Sequence, residues 1–363
     1  MSSVSTETIH PRSIAEIVAA VRQYDRLLPV GNRTKPPLSS VGDAASVSIA
    51  AICGIIQYEP SEFTFTALAG TPVKEIAATL HAKRQYLPFD PPMVDAGATL
   101  GGMVAAGLSG PGRFRYGGVR DFLLGVQFVS GDGEVIRAGG KVVKNSAGFD
   151  IPKLMVGSLG RLGILTELTF KVFPKPAATL TLCCQMTTHQ QALAVIAGLA
   201  NSRYEFDAID YRGTQKQIYV RLAGDPDANQ SLAVHLQKTS QLEWVTVDND
   251  SADQFWNELA DGTWYTPDSV IVKVPTTPES YLALQQWSDT TGSSSIHLSV
   301  AGAVTWIAID SESLTQLHTE LCKLQIPALA IGGNTQRAWW GHRESFHLHQ
   351  RVQQAMDPAR RFV

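Results

Sequence analysis

The sequence predicts an α+β protein of two domains. Its 363 residues, 44% of them apolar, are enough for two separate hydrophobic cores. Pro174 and Pro176 mark a break in the pattern: glycine-rich loops connect strands and helices before it, and strands alternate with amphipathic helices after it. We therefore place the first domain at residues 1–176 and the second at residues 177–363.

The first domain is predicted from local strand and helix signals. Residues 12–27 have the pattern of an amphipathic helix, and residues 28–30 that of a strand. A later helix, VKEIAATLHAKRQ, is expected to have Thr71 as its N-cap and Pro72 as its first residue. The stretch FLLGVQFVSGDGEVIRAG predicts a hairpin that turns at residues 131–133, Gly-Asp-Gly.

The second domain is predicted to be an antiparallel sheet with its helices on one face, because mostly short connections join its elements. Its strands are the stretches TLTLCCQM, KQIYVRLAG, SVIVKVP, SSIHLSVAG and TWIAID. Helices such as HQQALAVIAGLA, ESYLALQQW and SLTQLHTELCKL alternate with these strands. A last helix, ESFHLHQRVQQAM, is expected to return to the first domain.

Composition excludes several classes of function. Residues 1–175 carry 18 Lys+Arg against 14 Asp+Glu, and the remainder 12 against 19, an asymmetry too small to indicate nucleic-acid binding. The four cysteines lack metal-ligand spacing and predict reduced thiols. The sequence shows neither a basic leader followed by an apolar core nor an apolar run of about 18 residues. We therefore expect no signal peptide, no transmembrane segment and a cytoplasmic location.

Three glycines precede a predicted strand in GSLGRLGILTELTFKVFP. Gly157, Gly160 and Gly163 have the spacing G-x-x-G-x-x-G, and the residues after them alternate as in a strand. A Rossmann dinucleotide site needs G-x-G-x-x-G followed by a helix, so spacing and context both disfavour a nicotinamide-binding domain. Glycines that enter a strand instead let the main chain approach a flat ligand closely.

Two further stretches predict contact with an anionic ligand. In PVGNRTKP a strand runs into a turn at residues 31–34, whose consecutive amides suit a diphosphate together with the charge of Lys35. In ATLGGMVAAG, Thr99 is expected to cap a helix whose first turn has almost no side chains, so that a phosphate or a ring can touch it. A turn or a tight helix contact also explains each stretch alone. The three stretches together, in this order, favour one cofactor site.

Residues 10–176 resemble the FAD-binding domains of the vanillyl-alcohol oxidase or PCMH type. The resemblance rests on PVGNRTK, AGTPVKEIAATL, PFDPPMVDAGATLGGMVAAGLSG and, most specifically, the block from YGGVRDFLLGVQF to GILTELTFKVFP. The chain length and the segments GGMVAAGLSGPGR and KNSAGFDIPKLMVGSLG narrow it to a resemblance to the FAD-binding E subunits of bacterial glycolate oxidase, also called glycolate dehydrogenase.

This resemblance implies that FAD lies extended in the first domain and that the second domain covers the isoalloxazine. The positions that match the pyrophosphate loop are Gly31, Asn32, Arg33, Thr34 and Lys35. Those that match the segment alongside the flavin are Pro91, Pro92, Thr99, Gly101, Gly102 and Ala105. Those that match the returning strand near the adenine and ribitol are Gly157, Ser158, Gly160, Gly163 and Ile164. The first loop and central segment contain no histidine or cysteine that could tether FAD, so we expect non-covalent binding.

The resemblance also implies a function within a complex. The chain would oxidise glycolate to glyoxylate and pass electrons through the flavin, with a larger homologous flavin subunit and an iron–sulfur subunit as partners. Related 2-hydroxy-acid dehydrogenases have a G-D-G-N-x-H motif whose histidine binds or activates substrate. The nearest counterpart, GGNTQR at residues 332–337, lacks both the acid and the histidine.

Two alternatives therefore stay open. Beside the oxidation of glycolate by the chain itself, these are an FAD-loaded structural or electron-relay subunit without substrate oxidation of its own and a flavin dehydrogenase of another 2-hydroxy acid. Attachment to the inner membrane through the partner subunits is compatible with the expected cytoplasmic location.

Three arginines in GPGRFRYGGVRD are candidates for contact with a substrate carboxylate or with a partner: Arg113, Arg115 and Arg120. Guanidinium groups pair bidentately with carboxylates, although a solvated loop explains the arginines equally well. His297 lies between two apolar residues, as packed strand histidines do. The histidines near the last helix have no ligand pattern, so we expect no metal site.

Overall fold

The structure is a computed structural model that describes residues 8–39, 43–140, 149–266, 268–344 and 346–363. Motif residues 141–148 and the first seven residues, on which the expectation about a signal peptide partly rests, lie outside these ranges. Backbone contacts divide the chain into two compact units. Unit 1 consists of residues 1–109, 118–175 and 344–363, and unit 2 of residues 110–117 and 176–343.

Helices and strands are numbered here in chain order within the described ranges. The helices are α1 (Ile14–Gln23), α2 (Val73–His81), α3 (Leu100–Ala106), α4 (Arg113–Tyr116), α5 (Val119–Phe122), α6 (Ile151–Met155), α7 (His189–Ala200), α8 (Pro226–Ser240), α9 (Asn249–Asp261), α10 (Pro278–Thr291), α11 (Leu314–Lys323) and α12 (Phe346–Met356). In the part of the chain that the structure describes, no helix is long and apolar enough to cross a bilayer.

The strands alternate with these helices along both units. They are β1 (Thr8–Ile9), β2 (Leu27–Val30), β3 (Ala45–Ser48), β4 (Ile55–Glu59), β5 (Thr64–Leu68), β6 (Gln85–Tyr86), β7 (Leu123–Val129), β8 (Val135–Gly139), β9 (Ile164–Lys171), β10 (Phe173–Pro174), β11 (Ala178–Gln185), β12 (Ala208–Arg212), β13 (Gln217–Gly224), β14 (Trp244–Val247), β15 (Val270–Pro275), β16 (Ser294–Ser299), β17 (Val304–Ile309), β18 (Pro327–Gly332) and β19 (Trp339–Gly341). The α+β class predicted from the sequence is confirmed.

Unit 1 is built on an antiparallel five-stranded sheet in the order β4-β5-β9-β7-β8. The predicted hairpin is confirmed as β7 and β8, with Gly133 at φ 73° in its turn, where glycine is favoured. Strand β9 begins directly after Gly163, as predicted. Phe65 and Phe170 face each other across β5 and β9 with ring centroids 5.6 Å apart, and both are buried. A parallel sheet, β1-β3-β2, and the β6–β10 pair complete the unit's strands.

Helix α3 lies unusually close to the end of β5. Thr99 caps it as predicted, because its Oγ1 accepts a hydrogen bond from the Gly102 N–H at 3.2 Å. The Gly101 N–H donates to the Ala69 carbonyl at 2.7 Å. A Cβ at Gly101 would lie 2.9 Å from Ala69 Cβ and 3.1 Å from Ile49 Cδ1, so glycine is required for this approach.

The predicted N-cap of α2 is wrong. Pro72 has extended geometry (φ −58°, ψ 132°) and precedes the first helical residue, Val73. The buried Thr71 hydroxyl instead accepts a hydrogen bond from the Gly54 N–H at 2.8 Å and donates one to the Leu68 carbonyl at 2.7 Å. Its role is therefore to connect the loop before β4 to the end of β5, which a local capping pattern does not reveal.

The last residues of the chain belong to unit 1 and border β2. The Leu27 N–H donates to the Arg361 carbonyl at 2.7 Å, and Phe362 is buried beside it. The buried Asp357 carboxylate accepts a hydrogen bond from the Phe362 N–H at 2.8 Å. Residues 361–363 thus add to the edge of the small parallel sheet.

Unit 2 is an antiparallel nine-stranded sheet in the order β14-β11-β13-β12-β16-β17-β15-β18-β19. Helices α7, α8, α10 and α11 cover one face of this sheet. The core on this side includes the helix residues Leu193, Leu236, Leu284 and Leu317 and the strand residues Ile209, Val220, Val272 and Ile307.

Helix α9 lies on the opposite face, so the prediction that all helices share one face is wrong. Phe255 stacks on Tyr219 with ring centroids 3.8 Å apart, and Trp256 packs with it against Ala208. The Trp256 Nε1–H donates to Thr181 Oγ1 at 3.0 Å. Because strand residues alternate between faces, these contacts place α9 opposite the other four helices.

The Thr71→Val substitution tests the link between the loop and β5. It keeps the shape of the side chain but removes the acceptor of the partly buried Gly54 N–H and one of two donors to the Leu68 carbonyl, at a cost of about 1 kcal/mol. Urea unfolding should therefore show a lower free energy of unfolding. Thr79→Val is the control, because Thr79 bonds only the exposed Glu75 carbonyl of its own helix. Equal effects of the two substitutions would refute the link.

Candidate functional site

A cleft in unit 1 brings the three glycine-containing stretches together. It consists of two adjoining parts of about 470 and 310 Å³, which share the residues Pro29, Val30, Gly31, Gly102 and Ala105. Twelve of the sixteen residues predicted to contact the cofactor line it. They are Gly31, Asn32, Arg33, Thr34, Lys35, Thr99, Gly101, Gly102, Ala105, Gly160, Gly163 and Ile164.

The loop after β2 lines the cleft and contains main-chain N–H groups that have no acceptor among the described residues. Arg33 has left-handed backbone geometry (φ 53°), a strained conformation for a residue with a side chain. The N–H groups from Asn32 to Lys35 donate to no acceptor among the described residues. Two side chains hold the loop: Asn32 Nδ2 donates to the Gly97 carbonyl at 2.9 Å, and Arg33 Nη2 donates to Ser46 Oγ at 2.7 Å. Consecutive free amides in such a turn form an anion-binding concavity.

Lys35 adds a buried positive charge to this loop. Its side chain is 5% exposed, and its Nζ donates to Thr34 Oγ1 at 3.0 Å. Within the described ranges no carboxylate pairs with it. Burial lowers the pKa of Lys35 from 10.5 to about 8, because desolvation disfavours the charged form. An anion bound at the loop would supply the missing partner.

Glycine is needed at positions around the cleft for two different physical reasons: close packing of the protein on itself, and open space for a ligand. A Cβ at Gly31 would lie 2.2 Å from Thr99 Oγ1, and one at Gly163 would lie 2.6 Å from the ring of Phe128. These two glycines, like Gly101, are required by the packing of the protein on itself. At Gly102 a Cβ would meet Thr99 Oγ1 at 2.9 Å and no other atom within 4 Å. Gly102 is therefore the glycine that keeps the cleft side of α3 open.

Four predicted residues do not line the cleft. Gly157 donates its N–H to the Val104 carbonyl at 3.0 Å and has φ 78°, so it joins the loop to the end of α3. Ser158 follows it with a buried Oγ that has no hydrogen-bond partner among the described residues. Pro91 and Pro92 lie in the loop between β6 and α3.

Sequence reasoning missed several residues that line the cleft. They are Pro29, Val30, Leu38, Ser39, Ile49, Ala106, Leu159 and Leu165. Ile49 follows β3 and reaches the cleft because its N–H donates to the Val30 carbonyl at 2.9 Å. Leu159 has a left-handed backbone (φ 54°), and its neighbours Ser158 and Gly160 were the signal that could have identified it.

The three candidate arginines are divided between the units, with Arg113 and Arg115 in unit 2 and Arg120 in unit 1. Arg115 makes structural contacts within unit 2: it pairs with Glu205 at 2.6 Å and donates to the Ala223 carbonyl at 3.2 Å. Arg113 and Arg120 are exposed. Among the described residues no cluster of three His, Cys, Asp or Glu side chains could hold a metal ion.

The cleft therefore fits a ligand with one compact anionic group and one flat apolar part. Four free N–H groups and a lone ammonium suit a diphosphate, and the Ser158 hydroxyl is an unused donor and acceptor on the neighbouring loop. The short side chains of α3 and the strand start at Ile164 leave a narrow apolar part beside this anion site. A dinucleotide with a planar ring system combines these two features.

Comparison with known proteins identifies the class. The profile of the FAD binding domain family matches residues 7–139. Glycolate oxidase subunit GlcE of Escherichia coli (strain K12) is 35% identical over 246 residues, which cover 68% of this chain and 67% of that protein. The chain therefore belongs to the PCMH-type FAD-binding flavoproteins, and its cofactor is FAD.

Other relatives match over shorter stretches. D-lactate dehydrogenase of Anaerostipes hadrus is 31% identical over 52% of this chain and 40% of that protein. Glycolate oxidase subunit GlcD of Bacillus subtilis (strain 168) is 34% identical over 35% of this chain, and the match spans only 27% of that protein's length. Two crystal forms of alkyldihydroxyacetonephosphate synthase have TM-scores of 0.68 and 0.69 at 16% identity, covering 97% of this chain and 76% of that chain. At this identity the structural likeness shows the fold alone.

Lys35 should make FAD binding depend on pH. In the free protein its pKa is about 8, and a diphosphate beside Nζ favours the charged form and raises that pKa. Binding then takes up a proton, so affinity should be constant well below pH 8 and fall as pH rises through 8, by about tenfold at pH 9. Flavin fluorescence titrations at pH 6.5 and 9 measure this change.

Lys35→Met should weaken binding at pH 6.5 and abolish the dependence on pH. Lys74→Met is the matched control, because Lys74 is exposed and pairs with Asp95 at 2.7 Å in the same unit. A Lys35→Met protein that still loses affinity between pH 6.5 and 9 would show that another group titrates.

Gly102→Val should expel FAD, because the branched side chain occupies the open side of α3. The purified variant should be colourless with an unchanged far-UV circular dichroism spectrum. Gly198→Val is the control, since a Cβ at Gly198 in α7 meets no atom within 4 Å. Full flavin occupancy in Gly102→Val would contradict the assignment of this cleft.

Proposed function

We propose that the chain is the FAD-binding subunit of a glycolate oxidase (glycolate dehydrogenase) complex. In this proposal it takes part in the oxidation of glycolate to glyoxylate, and electrons leave through the flavin to a partner iron–sulfur subunit. A larger homologous flavin subunit is the second partner. The observation that carries the proposal is the similarity to GlcE over two thirds of both chains, combined with a cleft that suits FAD.

Different residues of the cleft would contact different parts of the cofactor. The N–H groups from Asn32 to Lys35 and the Lys35 ammonium would hold the diphosphate. Thr99, Gly102 and Ala105 would flank the flavin chain on one side, and Gly160, Gly163 and Ile164 on the other. Gly157, Ser158, Pro91 and Pro92 would support these walls from the adjoining loops. FAD supplies hydride acceptance when it is bound, while the protein positions it and sets its charge environment.

Non-covalent attachment of FAD is part of the proposal. Among the described residues that line the cleft there is no histidine, cysteine or tyrosine, the side chains that could bond to the flavin ring. Retention then depends on the diphosphate contacts and on the fit beside α3. Release of all flavin from acid-precipitated protein would agree with this attachment.

The substrate class follows from what the relatives share. The names of GlcE, GlcD and the D-lactate dehydrogenases refer to small 2-hydroxy acids, which supports an FAD-linked oxidoreductase of the 2-hydroxy-acid dehydrogenase type. Similarity to D-lactate dehydrogenases favours another 2-hydroxy acid as the second candidate substrate. The GGNTQR segment, which lacks an acid and a histidine, favours an electron-relay or structural role in which partners are needed for turnover.

Anaerobic absorption spectra of the FAD-loaded chain test the proposal. Glycolate should bleach the flavin band near 450 nm either in the isolated chain or after the two partner subunits are added. Bleaching by the chain alone supports oxidation by this subunit, and bleaching only after mixing supports the relay role. D-lactate in parallel reports the substrate preference. Flavin that stays oxidised with both acids in the assembled complex would reject the proposal.

A further inference from the structure

Arg33 has an unfavourable backbone conformation in the middle of the loop after β2. Its φ of 53° is in the left-handed region, where glycine is unstrained and a residue with a side chain is not. The residue lines the cleft, and its N–H is one of the four that have no acceptor among the described residues. The strain therefore lies in the same turn as the amides that suit a diphosphate.

The Arg33 guanidinium contacts the small parallel sheet. Its Nη2 donates to Oγ of Ser46 at 2.7 Å. Ser46 is buried in β3, the central strand, where its main chain is paired with Thr8 of β1 and Leu28 of β2. Because the sheet fixes this acceptor, the hydrogen bond anchors the middle of the loop to a rigid element.

The same guanidinium also constrains the end of the loop. Its Nη1 donates to the Ser39 carbonyl at 3.4 Å, where the 3₁₀ turn Pro36–Ser39 ends. Ser39 Oγ in turn donates to the Lys35 carbonyl at 3.5 Å. One arginine side chain therefore holds the loop from two directions, through Ser46 and through Ser39.

These contacts give Arg33 a different role from Lys35. Both terminal nitrogens of the Arg33 guanidinium donate to oxygen atoms of the protein. The main-chain N–H groups of the loop have no such acceptor, and the Lys35 ammonium has no carboxylate partner within the described ranges. The amides and Lys35 are thus available to an anion, whereas the Arg33 side chain shapes the loop.

We propose that Arg33 is a positioning residue for FAD: its guanidinium, held by Ser46, keeps the loop in the left-handed turn whose free amides receive the diphosphate. This inference rests on the proposed placement of the diphosphate and deepens it, because it assigns the bonds of the Arg33 guanidinium to the protein and not to the phosphate. A loop that already has its bound shape loses less conformational freedom on binding, so its affinity for the cofactor is higher.

A double-mutant cycle on FAD affinity separates positioning from direct contact. Flavin fluorescence titrations of the flavin-free full chain at pH 6.5 measure the dissociation constant. Arg33→Ala and Ser46→Ala should each raise it about tenfold, as expected for one hydrogen bond to a charged group. The double variant should bind FAD like Arg33→Ala, because both changes remove the same bond. A guanidinium that contacted the phosphate directly would give additive losses, or a loss for Arg33→Ala alone.

Two matched variants are the controls. Ser48→Ala removes a second buried hydroxyl from β3, one that forms no hydrogen bond with the described residues. Arg26→Ala removes an exposed arginine directly before β2, whose guanidinium pairs with Asp43 at 2.5 Å. Both variants should keep the FAD affinity of the wild type.

Arg33→Gly separates the shape of the loop from the stability of the fold. Glycine adopts the left-handed conformation without strain but forms no bond to Ser46. The variant should therefore bind FAD more tightly than Arg33→Ala and less tightly than the wild type. The melting temperature of flavin-free Arg33→Gly should equal or exceed that of the wild type, because relief of the strain offsets the lost bond.

The outcomes separate this inference from the proposal on which it rests. Wild-type affinity in Ser46→Ala, additive losses in the double variant, or a lower melting temperature of flavin-free Arg33→Gly would each overturn the inference alone. A chain that binds FAD equally well with Lys35→Met would instead place the diphosphate elsewhere and reject the underlying proposal.

Discussion

The geometry of unit 1 depends on one close contact, the approach of α3 to the end of the five-stranded sheet. The Gly101 N–H donates to the Ala69 carbonyl at 2.7 Å, and no side chain at 101 fits that distance. The same contact fixes Thr99, whose hydroxyl caps α3 and lies where a side chain at Gly31 would be. The loop after β2 and the start of α3 thus become neighbouring walls of one cleft, although about 70 residues of sequence separate them.

The cleft contains a buried positive charge that has no negative partner among the described residues. A buried ammonium without a carboxylate destabilises a fold, because its desolvation is not offset by a nearby opposite charge. Lys35 is in this position, and the four N–H groups from Asn32 to Lys35 also have no acceptor among the described residues. A diphosphate satisfies both features at once, so binding of the cofactor should also stabilise the folded chain by mass action.

Features with a local cause could be predicted from the sequence. The Thr99 cap, the hairpin at Gly133 and the strand after Gly163 each depend on a few neighbouring residues. Features that depend on distant segments could not, such as the position of α9, the bonds of Thr71 and the exposure of Ile49 to the cleft. Burial of Lys35 likewise needs the tertiary structure.

A crystal structure of the chain grown with FAD would test the central claim most directly. The account predicts that diphosphate oxygens lie within hydrogen-bonding distance of the N–H groups from Asn32 to Lys35 and of the Lys35 ammonium, with the flavin running beside Gly102. A diphosphate bound at any other loop, with these amides facing only water, would contradict it.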